Sequence, residues 1–182
     1  MRARVTKTAL VALVAMSGLA ASCFEITDPF VVAVNVNDIR NTFNVTPGTT
    51  TFGPGCITKS PGDYVDADFD ITGGGQLVDI ILEANGVFGG NIVNGQVRIG
   101  SNENSLIPLV TYSGPWSTFN VPQRLLGNSG TLTLNPTAVT TMMDLIENEQ
   151  PVVICHRGAL SQPAVGGMSI DVTIMAQVNA SP

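Results

Sequence analysis

Apolar and polar residues alternate along several stretches of this chain, with the period of two that is typical of half-buried β-strands. The clearest stretch is 168–178, where nearly every second residue is a large apolar one. Residues 30–37, 64–71 and 76–84 show the same alternation. Weaker strands are predicted at 91–93, 96–99, 106–112, 116–121, 131–134 and 151–156.

Turn-forming residues lie between these strands. Turns are predicted at Pro47-Gly48, Gly53-Pro54-Gly55, Ser60-Pro61-Gly62, Gly73-Gly74-Gly75, Asn85-Gly86 and Asn94-Gly95. The two Asn-Gly pairs favour β-hairpins, because both central residues of a type I′ turn need positive φ. Pro108 lacks a backbone N–H, so the strand at 106–112 is expected at a sheet edge or with a bulge.

One segment has the period of a helix instead. Asn135 is a good N-cap, Pro136 suits the first helical position, and Pro151 ends the pattern. Apolar residues recur at helical spacing between them, at Val139, Met142, Met143 and Ile146. The chain is therefore predicted to be all-β, a single antiparallel β-sandwich (Ig-like or jelly-roll-like) over residues 30–180. One short helix near 136–148 would cover an open end of the sheets.

The N-terminus has a different composition. Arg2, Arg4 and Lys7 precede an apolar run at 9–16, and small residues follow it. This run is shorter than the ~20 residues that span a bilayer. Basic, apolar and small regions in this order are typical of a secretory signal peptide, here residues 1–22.

The end of that segment, Ser17-Gly18-Leu19-Ala20-Ala21-Ser22-Cys23, resembles the lipobox of bacterial lipoproteins. The family prefers Leu where this chain has Ala20. The resemblance implies that the peptide is cleaved before Cys23 and that the Cys23 thiol receives a diacylglyceryl group. Residues 23–29 would then be a short lipidated tether. Phe24 is not the Asp that commonly retains lipoproteins at the inner membrane, which implies the outer membrane if the organism is Gram-negative. The expected location is thus the outer membrane or the periplasmic face of a membrane.

The cysteine count is consistent with that resemblance. The chain has three cysteines, so lipidation of Cys23 leaves Cys56 and Cys155 as a pair in an oxidising compartment. A disulfide between Cys56 and Cys155 is the favoured interpretation. Two buried free thiols are the alternative.

Net charge excludes some partners. Cleavage before Cys23 would remove three basic residues, leaving five against 14 acidic ones and a net charge of −9. Nucleic acid and anionic lipid headgroups need clustered Lys and Arg, so neither is expected to bind. The expected contact with the membrane is the lipid on Cys23.

Catalytic signatures are sparse. The sequence has no GxSxG elbow, HExxH, CxxC or P-loop, and His156 is its one histidine. On a strand, Cys155 and His156 point to opposite faces, which makes a Cys–His nucleophilic pair unlikely in geometry. If Cys155 lies in a disulfide, His156 faces solvent or the opposite layer. The alternative to a catalytic role is a polar surface histidine.

Two clusters are candidate binding sites. Asp63, Asp66, Asp68 and Asp70 could contribute carboxylates to Ca²⁺, although strand residues two apart are spaced too widely for one ion without a loop. The alternative is a solvated strand face. Tyr112 and Trp116 flank a predicted turn and could stack on a glycan if exposed; the alternative is burial in the core.

Three functions follow from these features. The favoured one is a non-enzymatic, lipid-anchored extracytoplasmic module that serves interaction or structure. It would be an accessory subunit docked on the periplasmic face of a membrane protein complex, because a short tether keeps it near such partners. A module that binds a glycan or Ca²⁺ at the cell envelope is the alternative. An enzyme with dispersed carboxylates is the third.

Overall fold

Two antiparallel sheets of five strands each pack face to face in a computed structural model that describes residues 32–36, 39–63, 70–125 and 131–181. Sheet A contains β1 (Val32–Asn35), β2 (Ile39–Asn44), β4 (Asp70–Asn85), β7 (Gln123–Arg124) and β10 (Ser169–Ser181). Sheet B contains β3 (Thr51–Lys59), β5 (Asn91–Gly100), β6 (Ile107–Pro115), β8 (Leu132–Leu134) and β9 (Val152–Leu160). The helices are α1 (Trp116–Phe119) and α2 (Pro136–Glu147).

The strand order is that of a jelly roll. Sheet A runs β1-β10-β4-β7, and β2 continues along the same edge of β10 as β1. Sheet B runs β3-β9-β5-β6-β8. Most connections cross between the sheets, while β5 and β6 form a hairpin within sheet B. The all-β sandwich expected from the sequence is confirmed, and the order within its sheets is the jelly-roll one.

The core lies between the sheets. In β10 the burial alternates without exception, and its inward side chains interleave with those of β4. These inward residues include Ile80, Leu82, Ile170, Val172 and Ile174, all at most 2% exposed. The alternation predicted for 168–178 is confirmed, whereas that for 76–84 holds only over 80–84, because a register shift against β10 leaves the adjacent residues Asp79 and Ile80 both buried. Each buried aliphatic side chain contributes about 1.5–3 kcal/mol.

Helix α2 also forms as predicted. The side chain of Asn135 accepts a hydrogen bond from the backbone N–H of Thr137 at 3.1 Å, and Pro136 opens the helix. The apolar stripe faces the sheets, with Met142 and Ile146 fully buried. The helix packs mainly on β4, next to the edge of sheet A.

The triple glycine does not form the predicted turn. Gly73, Gly74 and Gly75 lie inside β4, where φ is 100° at Gly73 and 71° at Gly74. Register shifts against β10 occur at this point of the ladder. Glycines permit positive φ in a bulged strand as readily as in a turn, so the strand continues through them.

Other predicted turns are also wrong. Asn94-Gly95 lies within β5, next to a register shift, and Gly53-Pro54-Gly55 lies within β3 at another. Asn85-Gly86 ends β4 but leads to β5 in the other sheet, so it is not a hairpin. The bulge expected at Pro108 is present, as a register shift between β5 and β6.

The predicted strand at 116–121 is wrong. Residues Trp116–Phe119 form α1, whose Trp116 and Phe119 are buried. Trp116 and Phe119 are three positions apart, so they lie on the same face of a single helical turn. The strand predicted at 64–71 lies mostly outside the described residues; Asp70 and Ile71 begin β4.

Candidate functional site

His156 lies in the core among aromatic rings. It is 0% exposed, and its ring centroid is 4.8 Å from that of Phe43, 5.0 Å from Phe52 and 6.0 Å from Tyr112. Phe43 belongs to β2 in the opposite sheet, so His156 points into the space between the layers. Of the two orientations expected from the sequence, the one toward the opposite layer is confirmed. The surface-histidine interpretation is wrong, because three rings cover the imidazole.

Glycines on the neighbouring strands make room for these rings. A Cβ on Gly55 would overlap the ring of Phe43, and a Cβ on Gly95 would overlap the ring of Tyr112. Gly95 is the cross-strand partner of Tyr112, which explains why glycine stands in the middle of β5. The rings therefore lie flat on the sheet around His156.

The imidazole has one polar partner. The Tyr112 hydroxyl and His156 Nε2 form a short hydrogen bond, while His156 Nδ1 is buried without a partner. Burial lowers the pKa of His156 to about 3 and raises the pKa of Tyr112. Both side chains are neutral at neutral pH. A fully covered imidazole with this pKa is a structural group in the core and is poorly suited to act as a general base.

The Cys56–Cys155 disulfide is confirmed. Cys56 and Cys155 are direct cross-strand partners on β3 and β9, and their sulfurs are bonded. Cys155 is 1% exposed, whereas Cys56 lies on an exposed position of the edge strand. Cys155 is turned away from the face that carries His156, as alternation predicts.

Tyr112 and Trp116 do not form a ligand loop. Tyr112 is 4% exposed and Trp116 is 0% exposed. Trp116 Nε1 donates to the carbonyl oxygen of Gly86 at 3.0 Å, and Phe88 packs edge-on against the indole. The core alternative is confirmed for both rings, and the exposed glycan-stacking arrangement is wrong because neither ring reaches solvent.

The predicted Ca²⁺ ligands are only partly described. Asp63 lies in a single 3₁₀ turn, where its Oδ2 accepts the backbone N–H of Ser60 at 2.8 Å. Asp70 begins β4, and Asp66 and Asp68 lie outside the described residues. Among the residues that are described, no three His, Cys, Asp or Glu side chains come together as a metal site.

The predicted anchor also lies outside the described residues. This applies to the signal segment at 1–22, to Cys23 and to the tether at 23–29. Within the described ranges, neither α1 nor α2 combines the length and the apolar character needed to cross a bilayer.

A groove of about 470 Å³ lies between α2 and β4; we call it the α2–β4 groove. Its apolar lining comes from both sheets and from the helix. The lining residues are Gly75, Gln76, Leu77, Val78, Leu125, Leu134, Val139, Thr140, Met143, Asp144 and Glu147. Leu77, Leu134 and Val139 are half-buried against the core, so they leave apolar surface facing the groove.

Two carboxylates stand on the helical wall of this groove. Asp144 is exposed, and Glu147 Oε1 accepts the backbone N–H of Gly75 at 2.5 Å. None of the described lining residues is Lys or Arg. Sequence reasoning did not find this groove, although Asp144 and Glu147 stand three positions apart beside the apolar stripe of the helix. That spacing was the available signal, because residues three apart share a helix face.

A ladder of amides connects the groove to the first strand. Gln76 Nε2 donates to Gln177 Oε1 at 2.8 Å, and Gln177 Nε2 donates to Asn35 Oδ1 at 3.3 Å. These three side chains stand on β4, β10 and β1. The groove therefore lies at the end of sheet A where β1 lies.

Comparison with known proteins adds little to this geometry. No family model matches the chain, and no curated protein sequence matches it. A chain of Desmodium yellow mottle tymovirus is similar over 94% of this chain and 96% of its own length, with 9% identity and a TM-score of 0.31. A similarity at that level carries no argument, so the fold is assigned from the strand order alone.

Proposed function

We propose that this chain is a non-enzymatic, lipid-anchored extracytoplasmic module that docks on the periplasmic face of a membrane protein complex through the α2–β4 groove. The observation that carries the proposal is the position of the groove at the same end of sheet A as the first strand. An anchor on Cys23 would then hold the binding surface close to the bilayer.

Strand register supports this placement. In sheet A, Val32 pairs with Ala180, and Ala180 pairs with Ile71 on the other side of β10. Neighbouring strands lie about 4.8 Å apart, so β1 and β4 are separated by roughly 10 Å. The N-terminal end of the body and the strand that lines the groove therefore lie close together.

The length of chain before β1 limits the distance to the membrane. Val32 follows Cys23 by nine residues. A chain of that length spans at most about 30 Å when fully extended. A body held within this distance of the membrane has a higher effective concentration toward partners embedded in the same membrane, even without additional contacts.

Charge favours a protein as the docking partner. The chain carries a formal net charge of −6, and the groove wall carries Asp144 and Glu147. Anionic headgroups would be repelled by this wall. A groove with apolar walls and a few polar groups is instead typical of sites that receive side chains of another molecule.

Lipid labelling tests the anchor. Cells that express the chain are fed a labelled fatty acid, and the mature N-terminus is examined by mass spectrometry. We expect label on wild type, cleavage before residue 23, and no label on Cys23→Ser. Cys56→Ser replaces a cysteine of the disulfide instead and is the control, which keeps its label. A wild-type chain exported with an unmodified Cys23 thiol would refute the anchor.

Photo-crosslinking in intact cells tests the docking. A crosslinking amino acid replaces the exposed Thr140 in the groove or, as a control, the exposed Thr118 in α1. We expect Thr140 to yield a crosslink to a membrane protein that Thr118 does not yield. The same crosslink should weaken when Cys23→Ser releases the chain. Equal crosslinking from both positions would contradict docking through the groove.

A further inference from the structure

Within the described part of the chain, no strand pairs with β4 on its outer side where it lines the groove. β7 pairs only with Ile81 and Leu82, and Leu125 donates its N–H to the carbonyl of Ile80. Toward Asp70, the described residues provide no further strand on that side. An unpaired edge beside an apolar groove is a surface that another chain can use.

Regular strand addition does not suit this edge. β4 has register shifts against β10 along the same stretch, and Glu147 already accepts the N–H of Gly75. Bulges and covering side chains are common protections of sheet edges against pairing with other chains. Recognition in the groove must therefore depend on side chains more than on a backbone ladder.

The walls define the side chains that fit. Leu77, Leu134 and Val139 offer half-buried apolar surface, and Met143 lies behind them. Asp144 is exposed at the rim, so its carboxylate is available to a cation. Arg124, the basic residue of β7, is paired with Asp79 at 3.7 Å and does not line the groove.

From this combination we infer that the α2–β4 groove binds a segment of a partner protein in which a large aliphatic side chain stands beside Lys or Arg. The aliphatic side chain enters between Leu77 and Val139, and the cation pairs with Asp144. This inference rests on the proposed function, because it takes the body to be an interaction module, and it specifies the chemistry of the partner.

A second copy of this chain fits less well. The chain has 14 acidic residues against eight basic ones, so two copies repel each other on average. A second copy would also have few Lys and Arg side chains to pair with the carboxylates of the groove. Charge complementarity thus favours a basic segment from a different protein.

Peptide binding to the full lipidated chain in a nonionic detergent tests the inference. The probe is a fluorescent peptide with one Leu between two Arg residues in a Gly-Ser background. Its binding is measured by fluorescence anisotropy. Two further probes replace Arg by Glu or Leu by Ala. We expect saturable binding of the Arg-Leu-Arg probe alone, weakening as salt screens the charge pair.

Charge reversal locates the site. Asp144→Lys should weaken binding of the Arg-Leu-Arg probe at least tenfold. Glu103→Lys changes the net charge equally at an exposed position in a different turn, and should leave binding unchanged within twofold. Val139→Gln should also weaken binding, because it places an amide in the apolar wall. Circular dichroism confirms that each variant is folded.

Several results would overturn the inference. Binding of the Glu probe as strong as the Arg probe, or equal losses in Asp144→Lys and Glu103→Lys, would show non-specific association. No binding of the Arg-Leu-Arg probe at millimolar concentration would refute it directly. A dimer in sedimentation that Asp144→Lys dissociates would assign the groove to a second copy. Lipid labelling tests the anchor on Cys23, and peptide binding tests the groove. The failure of one hypothesis can therefore be distinguished from the failure of the other.

Discussion

Burial of the single histidine predicts a specific loss of stability in acid. His156 is neutral in the folded chain, and its pKa is about 3 because the rings of Phe43, Phe52 and Tyr112 exclude water. In the unfolded chain the imidazole titrates near its ordinary value of about 6.5. Between these two values the unfolded chain binds a proton that the folded chain does not bind. The free energy of unfolding therefore falls as pH decreases from about 6.5 toward 3.

The magnitude follows from the two pKa values. Each unit of pKa difference corresponds to about 1.4 kcal/mol, so the full window is worth about 5 kcal/mol. Lowering the pH from 6.5 to 4.5 covers part of that window and should remove about 2–3 kcal/mol through His156 alone. Above about pH 7.5 the imidazole is essentially neutral in both states and contributes no further change.

The assay compares wild type with His156→Gln. Gln keeps a hydrogen-bonding group near the Tyr112 hydroxyl but does not titrate. Urea unfolding is followed at pH 6.5 and 4.5 through Trp116, which is the one tryptophan and is fully buried. Carboxylates titrate in both proteins, so their contribution cancels in the comparison. We expect wild type to lose about 2–3 kcal/mol more than the variant over this interval.

One result would refute this reasoning. Equal losses in both proteins would mean that His156 does not have a lowered pKa in the folded chain. Because the sequence has one histidine, its imidazole signal in an NMR titration of wild type is unambiguous. A midpoint near 6.5 in the folded protein would contradict the burial argument even if His156→Gln failed to fold.

Three further predictions concern stability and are measured by urea unfolding at neutral pH. Asn135→Ala removes the helix cap and should cost about 1 kcal/mol, whereas Asn135→Ser should cost less. Cys56→Ala and Cys155→Ala should each cost about 2–4 kcal/mol, and the double variant should lose little more than either; additive losses would contradict a shared bridge. Gly95→Ala should cost about 1–3 kcal/mol because its Cβ overlaps the Tyr112 ring, and Tyr112→Leu should reduce that cost.

The sequence was sufficient for the elements with strong local signals. In β10 the alternation continues over the whole strand, and α2 has a cap, a first-turn proline and an apolar stripe. Glycine signals were misleading at Gly95 and at 73–75. A glycine can adopt the positive φ of a turn or of a β-bulge, and its missing Cβ can also make room for a nearby ring. The sequence around the glycine does not distinguish these roles, because they depend on the neighbouring strand.

The sites were less predictable because they depend on contacts between distant segments. His156 is covered by Phe43, Phe52 and Tyr112, which are far from it in sequence and come together only when both sheets form. The α2–β4 groove combines Leu77 with Val139, which are on different elements. The disulfide could be predicted from the cysteine count together with the lipobox resemblance, which left Cys56 and Cys155 as the pair; the structure then decided against two free thiols.

Strand β10 holds sheet A together. β10 lies between the first two strands and β4, so neither side of sheet A has its neighbour until Ser169–Ser181 is available. Contacts between such distant segments are typical of slow-folding β proteins. A polypeptide without Ser169–Ser181 would therefore leave β1 and β2 without a partner in sheet A and β4 with β7 alone, although β3 could still pair with β9. During synthesis, β1 and β2 therefore emerge long before the strand with which they pair.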